Sequence, residues 1–142
     1  MNPTTGPVPT RKVLWAGALA CVASIIVTIA TQSALRDDLA AAYTYTPDRT
    51  LDGAHSATLT YLFTIAGCGL VLFSSYALAG QWAQRSWLRW SAVAVLVTAS
   101  ALAVYNLTQP FPFAVKLVGL LPPAVGLFSV AMLFGRRDSA RR

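Results

Sequence analysis

Acidic residues, histidine and cysteine are scarce in this chain, which has five, one and two of them among 142 residues. The two thiols, Cys21 and Cys68, form no C-x-x-C pair, and that excludes the spacing dithiol exchange uses. Each reads as a small packing residue. One histidine and five carboxylates supply neither a metal quartet nor paired catalytic acids, and no nucleophile stands in a motif with its base. No catalytic, metal or cofactor-binding residues are expected, and the chain does not read as an enzyme.

Charge of either sign is also sparse. Charged residues make up 11% and hydrophobic residues 56%, whereas a soluble domain is about a quarter charged. What the chain has instead is long apolar runs. Crossing about 30 Å of hydrocarbon at about 1.5 Å per residue takes roughly 20 apolar residues. The stretches 13–35, 57–79, 87–108 and 113–134 meet that requirement. Backbone amides in lipid must pair within their own segment, which selects helices. The expected fold is all-α, an integral membrane four-helix bundle (13–134), with a flexible tail at 1–12 and a basic tail at 135–142.

The basic residues flank the spans and are not interleaved with aromatics on a soluble face, so nucleic acid is not an expected partner. Arg11, Lys12, Arg85, Arg89, Arg136, Arg137, Arg141 and Arg142 fall on one side of the expected topology; Arg36, Arg49 and Lys116 fall on the other. Cytoplasmic loops carry the Lys and Arg excess, which places both termini in the cytoplasm and 36–56 outside the cell membrane. Anionic headgroups at the cytoplasmic face are the partner these cations suit. Trp15, Trp82, Trp87 and Trp90 lie at the expected inner boundary, and Tyr43, Tyr45, Tyr61, Tyr105, Phe111 and Phe113 near the outer one, at headgroup depth where such rings settle. The first apolar run is too long for a signal-peptide core and is expected to stay as a span. "ALAC" at Ala18–Cys21 resembles a lipoprotein cleavage box, but hydrophobicity continues beyond it.

The stretch "TPDRTLDGAH" (46–55) holds the only histidine. "DRTLDG" matches the first half of a calcium loop, where oxygen ligands alternate before a turning glycine. The second half fails, because Leu59 stands where a closing Glu belongs. As a connector the stretch explains more. Asp52 or Ser56 suits the amides that open the second span, and Pro47 and Gly53 favour turning.

The four spans hold no acidic residue, unlike small four-helix drug exporters, which depend on an embedded carboxylate. Arg89 and Lys116 lie near span ends, where long side chains snorkel. Polar residues concentrate in the outer half: Thr28, Thr31, Gln32, Thr60, Thr64, Tyr105, Asn106 and Lys116. Converging there, Thr28, Gln32, Thr60, Thr64, Tyr105, Asn106 and Lys116 would line an outer polar pocket roofed by Asp52 and His55. Dispersed, they are ordinary interface residues. "NLT" at Asn106–Thr108 matches a glycosylation acceptor but abuts the membrane.

Pro122 and Pro123 fall within the fourth span. Each removes an amide donor and crowds the carbonyl four residues back, so a kink is expected near Val118 and Gly119. Gly119, Pro122 and Pro123 are the candidate hinge. Two rows of small residues offer close approach: Ala16, Ala20, Ser24 and Thr28 on the first span, and Thr60, Gly67 and Ser74 on the second. They suit packing against each other or against a partner. The expected role is an accessory or structural membrane subunit acting through helix contacts, as a homo-oligomer or within a larger complex. The alternative is a small transporter or ligand-binding bundle using the outer polar cluster.

Overall fold

A computed structural model of the chain describes residues 8–79 and 86–139, with side chains described for 11–79, Trp87 and 90–132. The leader 1–7, Trp82, Arg85, Arg141 and Arg142 lie outside the described residues, as do the side chains of Arg89, Arg136 and Arg137. The order is α1 (Val8–Ala30), α2 (Gln32–Ala42), α3 (Leu51–Leu78), α4 (Ser86–Thr108), α5 (Phe113–Gly119) and α6 (Leu121–Ser139). The described residues contain no strand, only an isolated bridge between Thr46 and Arg49. Four stretches are long and apolar enough to cross a membrane: Arg11–Ala30, Leu51–Leu78, Trp90–Thr108 and Phe113–Met132, the last comprising α5 and much of α6.

Several boundaries differ from those expected, each for a local reason. Helix α1 begins at Val8, inside the segment read as a tail. Pro9 is tolerated there because first-turn amides have no intrahelical acceptor. The helix then ends at Ala30 instead of Leu35. Near its end the hydroxyls of Ser24, Thr28 and Thr31 donate to the carbonyls four residues back, at 3.0, 2.8 and 2.8 Å, a pattern that bends helices. At Thr31 the backbone leaves helical geometry (φ −109°, ψ 18°), and α2 begins at Gln32. The connector 36–56 is therefore largely helical.

Helix α3 starts at Leu51, six residues before Ala57, because Thr50 caps it in place of the expected Asp52 or Ser56: the Gly53 amide donates to Thr50 Oγ1 at 3.2 Å. Asp52 and His55 thus belong to a helix and not to a loop. Asp52 sits in the first turn, where the helix dipole favours a carboxylate. At the other end of the chain, α6 continues to Ser139, past the expected end at Phe134 and into the segment read as a basic tail.

Helix α1 packs against α3 and α6, and α4 packs against α6. Gly17 of α1 meets Phe73 of α3, and Cys21, four residues later, meets Gly69, four residues earlier. The two helices are therefore antiparallel. A Cβ on Gly69 would stand 2.8 Å from the Cys21 sulfur, which is why a glycine serves there. Phe73 also lies 3.9 Å from a Cβ position on Gly126 of α6, so this one ring of α3 faces both α1 and α6.

The seam that α1 uses is Gly17, Cys21, Ser24 and Thr28, and the small-residue row expected there only partly coincides with it. Ala16 is exposed, whereas Gly17, Cys21 and Thr28 are buried. On α3 the buried face is Leu62, Ala66 and Ala77. The row Thr60, Gly67 and Ser74 lies on another face; a Cβ on Gly67 would meet nothing within 4 Å.

Helices α3 and α4 are not among the closely packed backbone pairs. Long side chains span the gap at both ends. Tyr61 OH donates to Asn106 Oδ1 at 2.9 Å, and Tyr76 OH lies 2.9 Å from Ser91 Oγ. The two tyrosines are 15 residues apart on α3, and their partners are 15 apart in the opposite sense on α4, so this pair is antiparallel too.

Candidate functional site

The most elaborate part of the described structure is the end of the bundle where α2 docks. Leu35 and Leu39, four residues apart, lie on one face of α2. They are 0% and 4% exposed, packed with Leu62, Phe111 and Val115. The other face of α2 carries Arg36, Asp37 and Asp38, all exposed. Helix α2 is therefore an amphipathic cap that presses its leucines into the end of the bundle.

Polar contacts hold the same cap. Arg36 Nη2 lies 2.6 Å from Asp52 Oδ1. His55 Nε2 lies 3.2 Å from the Gln32 carbonyl, to which it donates in the tautomer that carries the proton on Nε2. Tyr45 OH donates at 2.9 Å to the Leu39 carbonyl, which also receives the Tyr43 amide at 3.2 Å and so closes the end of α2. Between α2 and α3 the chain turns through Thr46, Pro47, Asp48 and Arg49, with the Arg49 amide donating to the Thr46 carbonyl at 3.0 Å. Proline at the second position sets the φ angle that such a turn needs.

The residues expected to form one outer polar pocket fall into separate settings. Gln32, Asp52 and His55 belong to the α2–α3 latch, with Arg36 as the fourth member. Asn106 accepts from Tyr61, and Tyr105 sets its ring edge-on to Tyr61 at 6.4 Å, so these three form a strut between α3 and α4. That bond engages Oδ1 of Asn106, the first residue of the "NLT" triplet. Thr60 and Thr64 are exposed, their hydroxyls returned to the carbonyls of Ser56 and Thr60 at 2.9 and 2.7 Å. Thr28 is buried and back-bonded to Ser24. Lys116 is half-buried in the last turn of α5.

The half-calcium motif also takes another form. Its Asp52 carboxylate is engaged by Arg36, and among the described residues no three His, Cys, Asp or Glu side chains gather as ligands.

The candidate hinge coincides with a true interruption. Helix α5 ends at Gly119, Leu120 donates to the Leu117 carbonyl at 3.2 Å in a tightened turn, and α6 begins at Leu121. Pro122 and Pro123 have no N–H for the carbonyls of Val118 and Gly119. From the neighbouring helix, Ser24 Oγ reaches Val118 O at 3.5 Å while donating to Ala20 O at 3.0 Å.

The chain matches no family model, no curated protein and no solved structure. Sequence reasoning missed Arg36, Tyr61 and the α2 cap itself. The signal for the cap was the pair Leu35 and Leu39 at helical spacing beside Arg36, Asp37 and Asp38, but reading Leu35 as the last residue of a span concealed it.

Proposed function

We propose that this chain is a multi-pass protein of the cell membrane, with both termini cytoplasmic and α2 and its turn on the outer side. It acts as an accessory or structural subunit through helix contacts within the bilayer. The observation carrying this reading is the face of α3 that the bundle leaves unused. Gly67 has open space where Gly17 and Gly69 are filled by Phe73 and Cys21, and Thr60 and Val71 beside it are exposed. Small residues permit the close backbone approach on which helix association in lipid depends. Large apolar side chains elsewhere also point outward, including Leu19, Val97 and Leu127 at 69%, 63% and 62% exposed, as lipid or neighbouring helices require. The basic ends suit anionic headgroups on the cytoplasmic face.

Purification from native membranes after crosslinking tests the reading. A second copy or another membrane protein recovered in fixed stoichiometry, and lost in Gly67→Leu, is the expected result. A monomer under every crosslinking condition overturns it.

One observation favours the alternative, a small transporter or ligand-binding bundle: the fourth span is broken within its apolar stretch, a feature that transporters use to bring backbone carbonyls to substrates and ions. Solute flux into proteoliposomes containing the purified chain distinguishes this alternative.

A further inference from the structure

We propose that the seam between α3 and α4 is a binding site for one acyl chain of a phospholipid, whose anionic headgroup lies at the end where α4 begins. The proposal rests on the reading of these helices as membrane spans.

Two ties define the seam. Tyr61–Asn106 closes one end and Tyr76–Ser91 the other. Fifteen residues separate them on each helix, a length of about 22 Å. The residues that face each other between the ties follow from helical spacing: Ile65 stands four after Tyr61, Leu72 four before Tyr76, Val95 four after Ser91 and Leu102 four before Asn106. All four are aliphatic and none is buried; Leu72 is 36% exposed. Had the two helices met along their length, these side chains would cover one another. Their backbones instead stay apart. Beneath the seam, Phe73 of α3 and Leu96 of α4 converge on α6, lying 3.9 and 3.3 Å from one Cβ position on Gly126. The result is a groove with two aliphatic walls, an apolar floor and a hydrogen bond across each end.

This geometry selects the occupant. A membrane-spanning helix laid in the seam would have to pass through both tyrosine bonds, whereas an acyl chain enters from the side and breaks neither. The chains of one leaflet cover about half of the roughly 30 Å of hydrocarbon, or about 15 Å, which the distance between the ties accommodates. A polar solute meets no charge on these faces, and Thr98 at mid-length spends its proton on the Ala94 carbonyl at 3.0 Å. The headgroup end is set by the start of α4. Trp87, one turn before Ser91, is 61% exposed, as a ring at headgroup depth is. Arg85 and Arg89 stand on either side of it in the sequence, and the chain has no acidic residue between Asp52 and Asp138. This end is therefore positively charged, which favours an anionic headgroup.

Native mass spectrometry of the full chain, taken into mild detergent from bilayers of phosphatidylglycerol and phosphatidylcholine, tests this. One phosphatidylglycerol per chain is expected to be retained, severalfold over phosphatidylcholine. Leu72→Trp fills the groove and should lose it; Val97→Trp, at a position of α4 that is 63% exposed, should not. A phosphatidylglycerol carrying a diazirine in its acyl chain reads the same site in the parent chain, with label expected at Ile65, Leu72, Val95 and Leu102 ahead of Val97 and Leu127. Label spread evenly over all these positions, or no lipid retained by the parent chain, overturns the proposal. So does crosslinking of the seam to another protein in place of lipid. Equal retention of the two lipids overturns the choice of headgroup. Retention of the protein in the bilayer pellet after alkaline carbonate checks the membrane reading separately. Gly67→Leu, which blocks the partner face of α3, should leave the lipid bound, so failure of the subunit reading is distinguishable as well.

Discussion

The ring of Phe73 on α3 occupies the space that a side chain on Gly17 of α1 would need. The same ring reaches toward Gly126 of α6, with 3.9 Å between its edge and a Cβ position there. A large side chain is thereby received by glycines from two helices. In lipid, where apolar burial alone does not drive helices together, this kind of steric fit is a main source of cohesion.

Gly17→Ala should therefore destabilise the bundle by about 1–3 kcal/mol, the range for overpacking a filled site. Gly67→Ala should be neutral or stabilising, because its Cβ meets nothing and alanine is the better helix former. Unfolding by SDS in mixed micelles, followed by helical circular dichroism, compares them. Equal effects at the two glycines would contradict the packing described here.

The Tyr61–Asn106 bond joins two helices whose backbones do not approach closely. Tyr61→Phe and Asn106→Ala should each destabilise, and the double variant by less than their sum. The expected coupling is about 0.6–2 kcal/mol, as for hydrogen bonds between membrane helices. Additive effects in the same SDS titration would mean that the bond contributes nothing.

The α2 cap should depend on its leucines more than on its ion pair. Leu35 is fully buried, so Leu35→Ala should cost about 2–5 kcal/mol. Arg36 and Asp52 have side chains 50% and 76% exposed, and Asp52→Asn should cost no more than about 1 kcal/mol. Hydrogen exchange of the α2 amides reads this directly. Faster exchange in Asp52→Asn than in Leu35→Ala would reverse the order.

A cysteine placed at Ser33 or Asp48 in a background lacking Cys21 and Cys68 should react with a membrane-impermeant maleimide on intact cells, and one placed at Thr10 should not. Both positions are exposed on α2 and its turn. Labelling at Thr10 alone would invert the proposed topology.

The helical character and the four apolar stretches were legible from composition and run length. Their ends were less so. The end of α1 lies at Thr31, where the backbone leaves helical geometry with no glycine or proline to mark the place. The start of α3 depended on Thr50, one of several residues near it able to cap. The interruption in the fourth stretch was visible because two adjacent prolines leave a helix no alternative. The expected convergence of the polar residues at one end of the spans required knowing which way each helix faces.

Local covalent properties were sufficient for what the amino-acid sequence determined alone: hydropathy over about twenty residues, and the missing amides of Pro122 and Pro123. Tertiary structure decided which faces meet. Gly17 rather than Ala16 lies in the α1 seam, the Thr60–Gly67–Ser74 row is left aside, Leu35 enters the core from a separate helix, and Tyr61 finds Asn106. The reason is physical. Hydropathy belongs to each segment by itself, whereas the place of Phe73 exists only when α1, α3 and α6 stand together, and no one segment specifies it.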